Sequence, residues 1–304
     1  MLIESKMGKY SIIRPLTLGE WANHYLVTDE GGIARILMIA RRPIDNGKVD
    51  STFVALEKLL EKSDEFEQIY SETSDRKLHY DWLFPTVLDR FSIPSQADRK
   101  ALVLEYRDAN PRVFFPLVQI LNQNQRLDFK TSAWILGRFL KLEDFFELTD
   151  EKRPFYLPFV QQNILIDPEN HRMMPLDWSR ITRRKTRDQL ETNLHKEVAF
   201  IEELINAKSF YTLETPEGDF RKYRAYSASL AEADKGYLEL LKLCHWLIDG
   251  LDVTNDPGGR TRLTFDPESI HRKFYHGYRC DGLNYEGLDD LYGREFHPFT
   301  TLPR

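Results

Sequence analysis

The first hundred residues alternate between short stretches rich in β-branched and aromatic side chains and polar, turn-forming stretches. The stretches rich in β-branched and aromatic side chains favour β-strands, because such side chains pack well on a pleated surface. A helix is predicted to begin near Ser51, and its predicted buried face consists of Phe53, Val54, Leu56, Leu59 and Leu60. The five predicted strands are Tyr10 to Arg14, His24 to Thr28, Ile33 to Ile39, Phe84 to Ser92 and Lys100 to Tyr106. The pattern therefore predicts a small antiparallel sheet with one helix.

After Asn110 and Pro111 the apolar residues follow helical spacing. The first of these segments carries an apolar stripe too broad for a surface helix, which suits the middle of a helical lobe. The predicted helices are Phe129 to Leu148, Asn193 to Ala207 and Ser227 to Leu251. Two short strands around Ile164 and Met174, joined by the turn residues Asp167 to Asn170, interrupt the series. A β-rich segment is therefore followed by a mainly helical one.

The composition is that of a globular protein of 304 residues, 41% hydrophobic and 30% charged, with a net charge of -6. The acidic balance argues against a general nucleic-acid-binding surface. No stretch approaches eighteen consecutive apolar residues, so we expect neither a membrane span nor a secretion signal. Cys244 and Cys280 form no CxxC pair, which argues against a disulfide framework or a structural zinc site. We therefore expect a cytoplasmic protein.

The stretch QQNILIDPENHRMMPLDWSRI, from Gln161 to Ile181, places an amide and a carboxylate side chain at the two ends of the predicted hairpin. These residues, Asn163 and Asp177, lie fourteen positions apart, and their oxygen atoms are ligands that suit Mg²⁺. Asn and Asp are also common turn and cap residues. A metal-binding role and a purely structural role therefore both remain open for this pair.

In their order and spacing, these elements and residues resemble the protein kinase superfamily over roughly residues 8 to 250. In kinases, an asparagine of the catalytic loop and the aspartate of the DFG motif bind the metal ions on ATP. The resemblance implies an α+β, two-lobed protein kinase-like fold. Its small antiparallel β lobe with one helix would span residues 1–107, and its larger, mainly helical lobe with an irregular tail would span residues 108–304.

The same resemblance implies a nucleotide site for ATP and Mg²⁺. The stretch ALVLEYRDANP, from Ala101, is similar to the strand that leads into a kinase hinge. By this likeness Leu104 takes the gatekeeper position, Glu105 and Tyr106 offer backbone groups to adenine, and Leu165 forms the floor of the pocket. Asn163 and Asp177 complete the expected nucleotide-binding set as its two metal ligands.

Three departures from the kinase pattern argue against catalysis. The position of the catalytic aspartate, five residues before Asn163, is Pro158, which has no proton-accepting side chain. The ATP-binding lysine falls on Met38, whose thioether pairs with neither phosphate nor Glu57, the expected partner on the helix. Without that lysine, Glu57 is expected to be a solvated helix residue. The phosphate loop, Leu18 to His24, contains one glycine where several small residues would be needed.

Five basic side chains follow Asp177 in the segment Arg180 to Arg187. This segment takes the place of a kinase activation segment, but no APE-like ending follows it. A solvated charged loop is one interpretation. A docking patch for an acidic segment of a protein partner is the other.

The sequence therefore favours a pseudokinase, a kinase-like fold that acts as a regulatory, scaffolding or sensing module with or without residual nucleotide binding. The alternative is an atypical kinase or a small-molecule phosphotransferase of the same fold that uses ATP and Mg²⁺. An unrelated α+β interaction protein with accidental motif matches is the third interpretation.

Overall fold

The computed structural model describes residues 2–73, 80–117, 129–149, 154–167, 172–183 and 187–205, together with positions 237, 240 and 244. Its strands are β1 (Leu2–Glu4), β2 (Lys9–Leu18), β3 (Ala22–Thr28), β4 (Ala34–Ala40), β5 (Thr86–Ile93), β6 (Arg99–Glu105), β7 (Phe115–Pro116), β8 (Phe155–Tyr156), β9 (Ile164–Asp167), β10 (Arg172–Pro175) and β11 (Thr182–Arg183). Its α-helices are α1 (Asn46–Thr73), α2 (Phe129–Thr149) and α3 (Arg187–Leu204). Short 3-10 turns lie at Pro43–Asp45, Tyr80–Leu83, Pro94–Gln96, Pro111–Val113, Gln161–Asn163 and Trp178–Arg180. The class is therefore mixed α and β, as the sequence predicts.

The largest sheet has six strands in the order β1-β2-β3-β4-β6-β5, and all its neighbouring strands are antiparallel. The predicted strands around Ile36 and Leu104 are neighbours in it, because these two residues face each other across β4 and β6. Strand β1 is an addition to the five predicted strands. At three residues, it is too short for its alternation to be visible in the sequence.

The outer strands of this sheet are joined through Asp89 on β5. The hydroxyls of Ser5, in the β1–β2 turn, and of Tyr10, on β2, both donate to its Oδ2, over 2.5 and 3.0 Å. An extra residue, Leu88, bulges from β5 beside Asp89 and helps the strand to bend. The sheet therefore curls into a half-barrel. The apolar core on its inner side consists of Ile3, Tyr10, Val27, Leu37, Ile39, Ile93, Ala101 and Val103.

Helix α1 begins at Asn46, five residues before the predicted start. The side chain of Asn46 is used outside the helix: its amide donates to the Asp98 carbonyl, and its oxygen accepts the Lys100 amide over 2.8 Å. The buried face of α1 also differs from the predicted one, because Val54 is exposed. The fully buried positions follow alternating steps of three and four residues: Val49, Thr52, Leu56, Leu59 and Ser63.

The chain divides into two compact units. The first contains residues 1–119 and 160–182, and therefore includes the β9–β10 hairpin with the six-stranded sheet. The second contains the described parts of residues 120–159 and 183–304. The predicted lobe boundary after residue 107 stays a prediction. Most of the predicted helix from Ser227 to Leu251 and the turn residues 168–170 lie outside the described residues.

Within the second unit, α2 and α3 pack around three phenylalanine rings. The ring centroid of Phe139 lies 5.2 Å from that of Phe159 and 6.4 Å from that of Phe200, and Phe159 and Phe200 are 5.6 Å apart. This cluster explains the broad apolar stripe of α2, which the sequence shows. Over the ranges that the structure describes, every helix is too short or too polar to cross a membrane.

Candidate functional site

The β9–β10 hairpin brings Asn163 and Asp177 together. The backbone carbonyl of Asn163 accepts the Leu176 amide over 2.7 Å, which fixes the open end of the hairpin. The side-chain amide of Asn163 then lies 3.5 Å from Oδ2 of Asp177. The two side chains therefore lie side by side in the first unit, and their role toward a metal ion stays a prediction.

Asp177 is 5% exposed, and protein donors occupy both of its carboxylate oxygens. Its Oδ2 accepts the indole N–H of Trp21 over 2.8 Å and forms an ion pair with Nε of Arg180 over 3.0 Å. Its Oδ1 accepts the Ser179 hydroxyl over 2.6 Å. Such charge-assisted bonds are the stronger kind, and a metal ion would have to replace them.

Trp21 reaches Asp177 from the loop that the kinase likeness assigns to phosphate. The loop closes tightly, because the Gly19 amide donates to the Ala22 carbonyl over 3.0 Å. A Cβ on Gly19 would lie only 2.6 Å from that carbonyl oxygen, so this close approach explains the single glycine. The Trp21 side chain is 3% exposed. The loop therefore buries an indole where the likeness would place the phosphates of ATP.

Arg180 connects this loop to the hairpin. In addition to Asp177, its guanidinium binds the carboxylate of Glu20 over 2.7 Å, and Glu20 is otherwise 74% exposed. We call Trp21, Asp177, Arg180 and Glu20 the indole latch. The first residue of the predicted docking segment is therefore used inside the first unit. The exposed Arg183, farther along that segment, lies over the ring of Phe155 at 3.9 Å, and residues 184–186 lie outside the described ranges.

His24, which the sequence did not indicate, is buried on β3 near this site. Its Nδ1 lies 2.9 Å from the Thr17 hydroxyl, and its Nε2 has no hydrogen-bond partner in the part of the chain that the structure describes. Burial lowers the pKa of His24 to about 4, although the negative charge of Asp177 opposes the shift. The imidazole is therefore neutral at physiological pH. The only sequence signal for it was its place in the alternation of β3.

The position expected to carry the kinase lysine is Met38, which is fully buried on β4 between His24 and Leu102 of the adjacent strands. Glu57 lies on the exposed side of α1 and so is not the buried partner that a kinase would need. The nearby cation Arg35 forms an ion pair with Glu105 instead. Arg35 therefore does not take the place of the missing lysine.

Three of the remaining predicted binding residues of the first unit, Leu104, Tyr106 and Leu165, are parts of its core. Leu104 and Leu165 are fully buried. Tyr106 donates its hydroxyl to the Pro175 carbonyl over 3.1 Å, and its ring meets that of Phe114 edge-on at 6.1 Å. Burial raises the pKa of Tyr106. Their roles toward adenine, and that of the Glu105 backbone, stay predictions.

Pro158 belongs to the second unit, where it is half-buried between β8 and Phe159. No carboxylate lies between Arg153 and Asn163, so the segment has no substitute for the kinase base. Within the described ranges, no group of three or more His, Cys, Asp or Glu side chains is arranged to hold a metal ion. The described residues therefore do not fit Mg²⁺-ATP as they stand, because Asp177 already has its donors and Met38 offers no charge.

No protein-family model matches the chain, and no curated protein matches it. The likeness to protein kinases therefore rests on the residues and elements given above.

Proposed function

We propose that this protein is a kinase-like pseudokinase, a regulatory or scaffolding module that does not transfer phosphate. The observation that carries the proposal is the indole latch, in which Trp21 and Arg180 occupy the carboxylate that would hold the metal. The order of the strands β2 to β6 around α1 and the Asn163–Asp177 hairpin support the kinase-like part of the proposal.

The chemistry of phosphoryl transfer explains why the latch matters. The reaction depends on positioning and on charge stabilisation by metal ions and cations around the transferred phosphate. Here Asp177 is neutralised by Arg180, the lysine position is the buried Met38, and Pro158 removes the base. A fold without these groups can still bind partners through its surfaces, as a regulatory module does.

The proposed partner is a protein with an acidic segment. It would bind the part of the basic segment that follows Arg180, because Arg180 itself already has two carboxylate partners. Arg183 is exposed and lies at the start of that part. The cytoplasmic location, like this partner, stays a prediction.

One observation favours the alternative, a phosphotransferase of the same fold. Asn163 and Asp177 lie side by side, as a pair of metal ligands would. An opening of the latch would free Asp177 for Mg²⁺.

A radiolabelled ATP turnover assay with Mg²⁺ tests the proposal on the purified protein. We expect the wild type to release no more phosphate than Asp177→Ala does. The matched control, Asp108→Ala, changes an exposed carboxylate of the same unit and should also leave the signal unchanged. Turnover that is present in wild type and Asp108→Ala but absent in Asp177→Ala would overturn the proposal and favour the phosphotransferase.

A further inference from the structure

Two carboxyl side chains are buried in the second unit. Glu143 on α2 and Glu197 on α3 are each 3% exposed. Asn193, fully buried, precedes Glu197 by one helical turn on α3. Burial of two carboxyl groups in one place is unusual, since Glu is almost never fully buried without a partner.

Asn193 ties a chain segment to both helices. Its side-chain amide donates to Oε1 of Glu143 over 2.9 Å and to the Leu157 carbonyl over 2.7 Å. Its side-chain oxygen accepts the Phe159 amide over 3.0 Å. We call these three bonds the Asn193 clamp. They hold the residues on both sides of Pro158, the position of the missing kinase base.

Glu197 lies beside the clamp with one oxygen unsatisfied. Its Oε2 is buried and has no hydrogen-bond partner among the described residues, and no lysine or arginine of those ranges forms an ion pair with it. An ionised carboxylate in such a place costs several kcal/mol, so the group binds a proton instead. Burial, and then the nearby Glu143, raise the pKa of Glu197 well above its usual range.

The described titratable groups that face Glu197 are Glu143 from α2 and Tyr156 from β8. Burial raises the pKa of Tyr156, and the charges of Glu143 and Glu197 raise it further. The surroundings of Glu143, Glu197 and Tyr156 therefore disfavour a second negative charge in this cluster. A proton on Glu197 relieves that repulsion.

From this geometry we infer that Glu197 is a proton-binding site that couples pH to the attachment of residues 157–159. With the proton bound, Glu143 and Glu197 lie together and the Asn193 clamp is intact. Loss of the proton places two negative charges in one buried cluster and weakens the clamp. The inference rests on the second unit alone, so it stands whether or not the protein is a pseudokinase.

The sign of the pH effect follows from linkage. A group whose pKa is raised by folding contributes stability that is fully present below its unfolded value, which for Glu is about 4.3. That contribution is lost as the pH rises through the folded value. Alkaline conditions should therefore loosen the clamp, and acidic conditions should tighten it.

The test is hydrogen exchange at the Phe159 amide, which the clamp holds, between pH 5 and pH 9 on the full chain. We compare wild type with Glu197→Gln, which keeps the size of the side chain but does not titrate. Glu203→Gln is the control, because Glu203 is exposed on the same helix. After correction for the intrinsic rate, wild type and the control should lose up to about tenfold in protection per pH unit between the pKa of Glu197 in the open state and its raised pKa in the folded state, and should lose no more above the latter. Glu197→Gln should show constant protection.

Equal pH dependence in wild type and Glu197→Gln would overturn the inference. If Glu197→Gln does not fold, constant corrected protection of Phe159 in wild type across the whole range would do so as well. Addition of Mg²⁺, Ca²⁺ or Mn²⁺ at pH 8 distinguishes a proton site from a cation site at Glu197. Saturable protection by one of these ions, present in wild type and absent in Glu197→Gln, would identify a cation site in place of a proton site and would also contradict the inference.

Discussion

At the scale of single residues, Trp21 contacts the carboxylate of the candidate nucleotide site. It lies in a loop, where a tryptophan is usually a surface contact, yet only 3% of it is exposed. Its indole N–H donates to the buried carboxylate of Asp177, and its ring is buried as well. One residue therefore supplies both packing and a hydrogen bond to the same site.

Truncation of Trp21 to alanine should lower the free energy of unfolding by about 3–5 kcal/mol, the usual cost of removing a buried aromatic ring. Added indole should restore part of this loss, because an apolar cavity of this origin can bind a matching ring. Urea unfolding with and without indole measures both effects. Leu18→Ala, in the same loop but 72% exposed, should change stability by less than about 0.5 kcal/mol. Equal stability of the two variants would show that Trp21 does not hold the loop closed.

Met38→Lys restores the residue type of a kinase but should not restore ATP turnover. The new ammonium group would be buried between β3 and β6 without a carboxylate partner, since Glu57 is on the exposed side of α1. The variant should lose at least about 3 kcal/mol of stability in urea unfolding. Met7→Lys, at a position that is 74% exposed, is the matched control and should be neutral. A Met38→Lys protein as stable as the control would contradict the burial of this position.

At the scale of elements, the curl of the half-barrel is held by the hydrogen bond from Tyr10 on β2 to Asp89 on β5. Burial and the hydrogen bond to Asp89 raise the pKa of Tyr10 to about 12. Since the phenol has a pKa of about 10 when unfolded, the protonated group stabilises the fold below pH 10 and loses this effect as the pH rises through 12.

Tyr10→Phe should therefore cost about 1 kcal/mol at neutral pH, the usual net value of one hydrogen bond. Above pH 10 the wild type should lose stability more steeply than the variant, so the two urea midpoints should converge. Tyr25→Phe is the control, because the half-buried Tyr25 hydroxyl only accepts one bond from Asn23, over 3.2 Å. A constant difference between wild type and Tyr10→Phe up to pH 12 would contradict the closure through Asp89.

The elements themselves were largely predictable, because each follows from a local pattern. Enrichment in β-branched and aromatic residues indicated β3 to β6, and helical spacing indicated α2. The start and buried face of α1 were not, since Asn46 is held by contacts with Asp98 and Lys100, about fifty residues away. Long-range contacts of this kind leave no periodic signal in the sequence.

At the scale of the whole molecule, the sequence indicated the hairpin whose two ends carry Asn163 and Asp177, and this hairpin explains why the two side chains meet. The indole latch was not predictable, since Trp21 and Asp177 are 156 positions apart and nothing in either local sequence indicates the other. The buried pair of Glu143 and Glu197 was missed for the same reason. Polar residues that meet only through tertiary packing look like ordinary surface residues in the sequence.

The central claim is that the latch leaves no site for Mg²⁺-ATP at Asp177. Calorimetric titration of the purified protein with ATP, with and without Mg²⁺, tests it most directly. We predict that the wild type shows no Mg²⁺-dependent binding at millimolar ATP, and that Asp177→Ala behaves alike. Mg²⁺-dependent binding by the wild type that Asp177→Ala abolishes would contradict the claim.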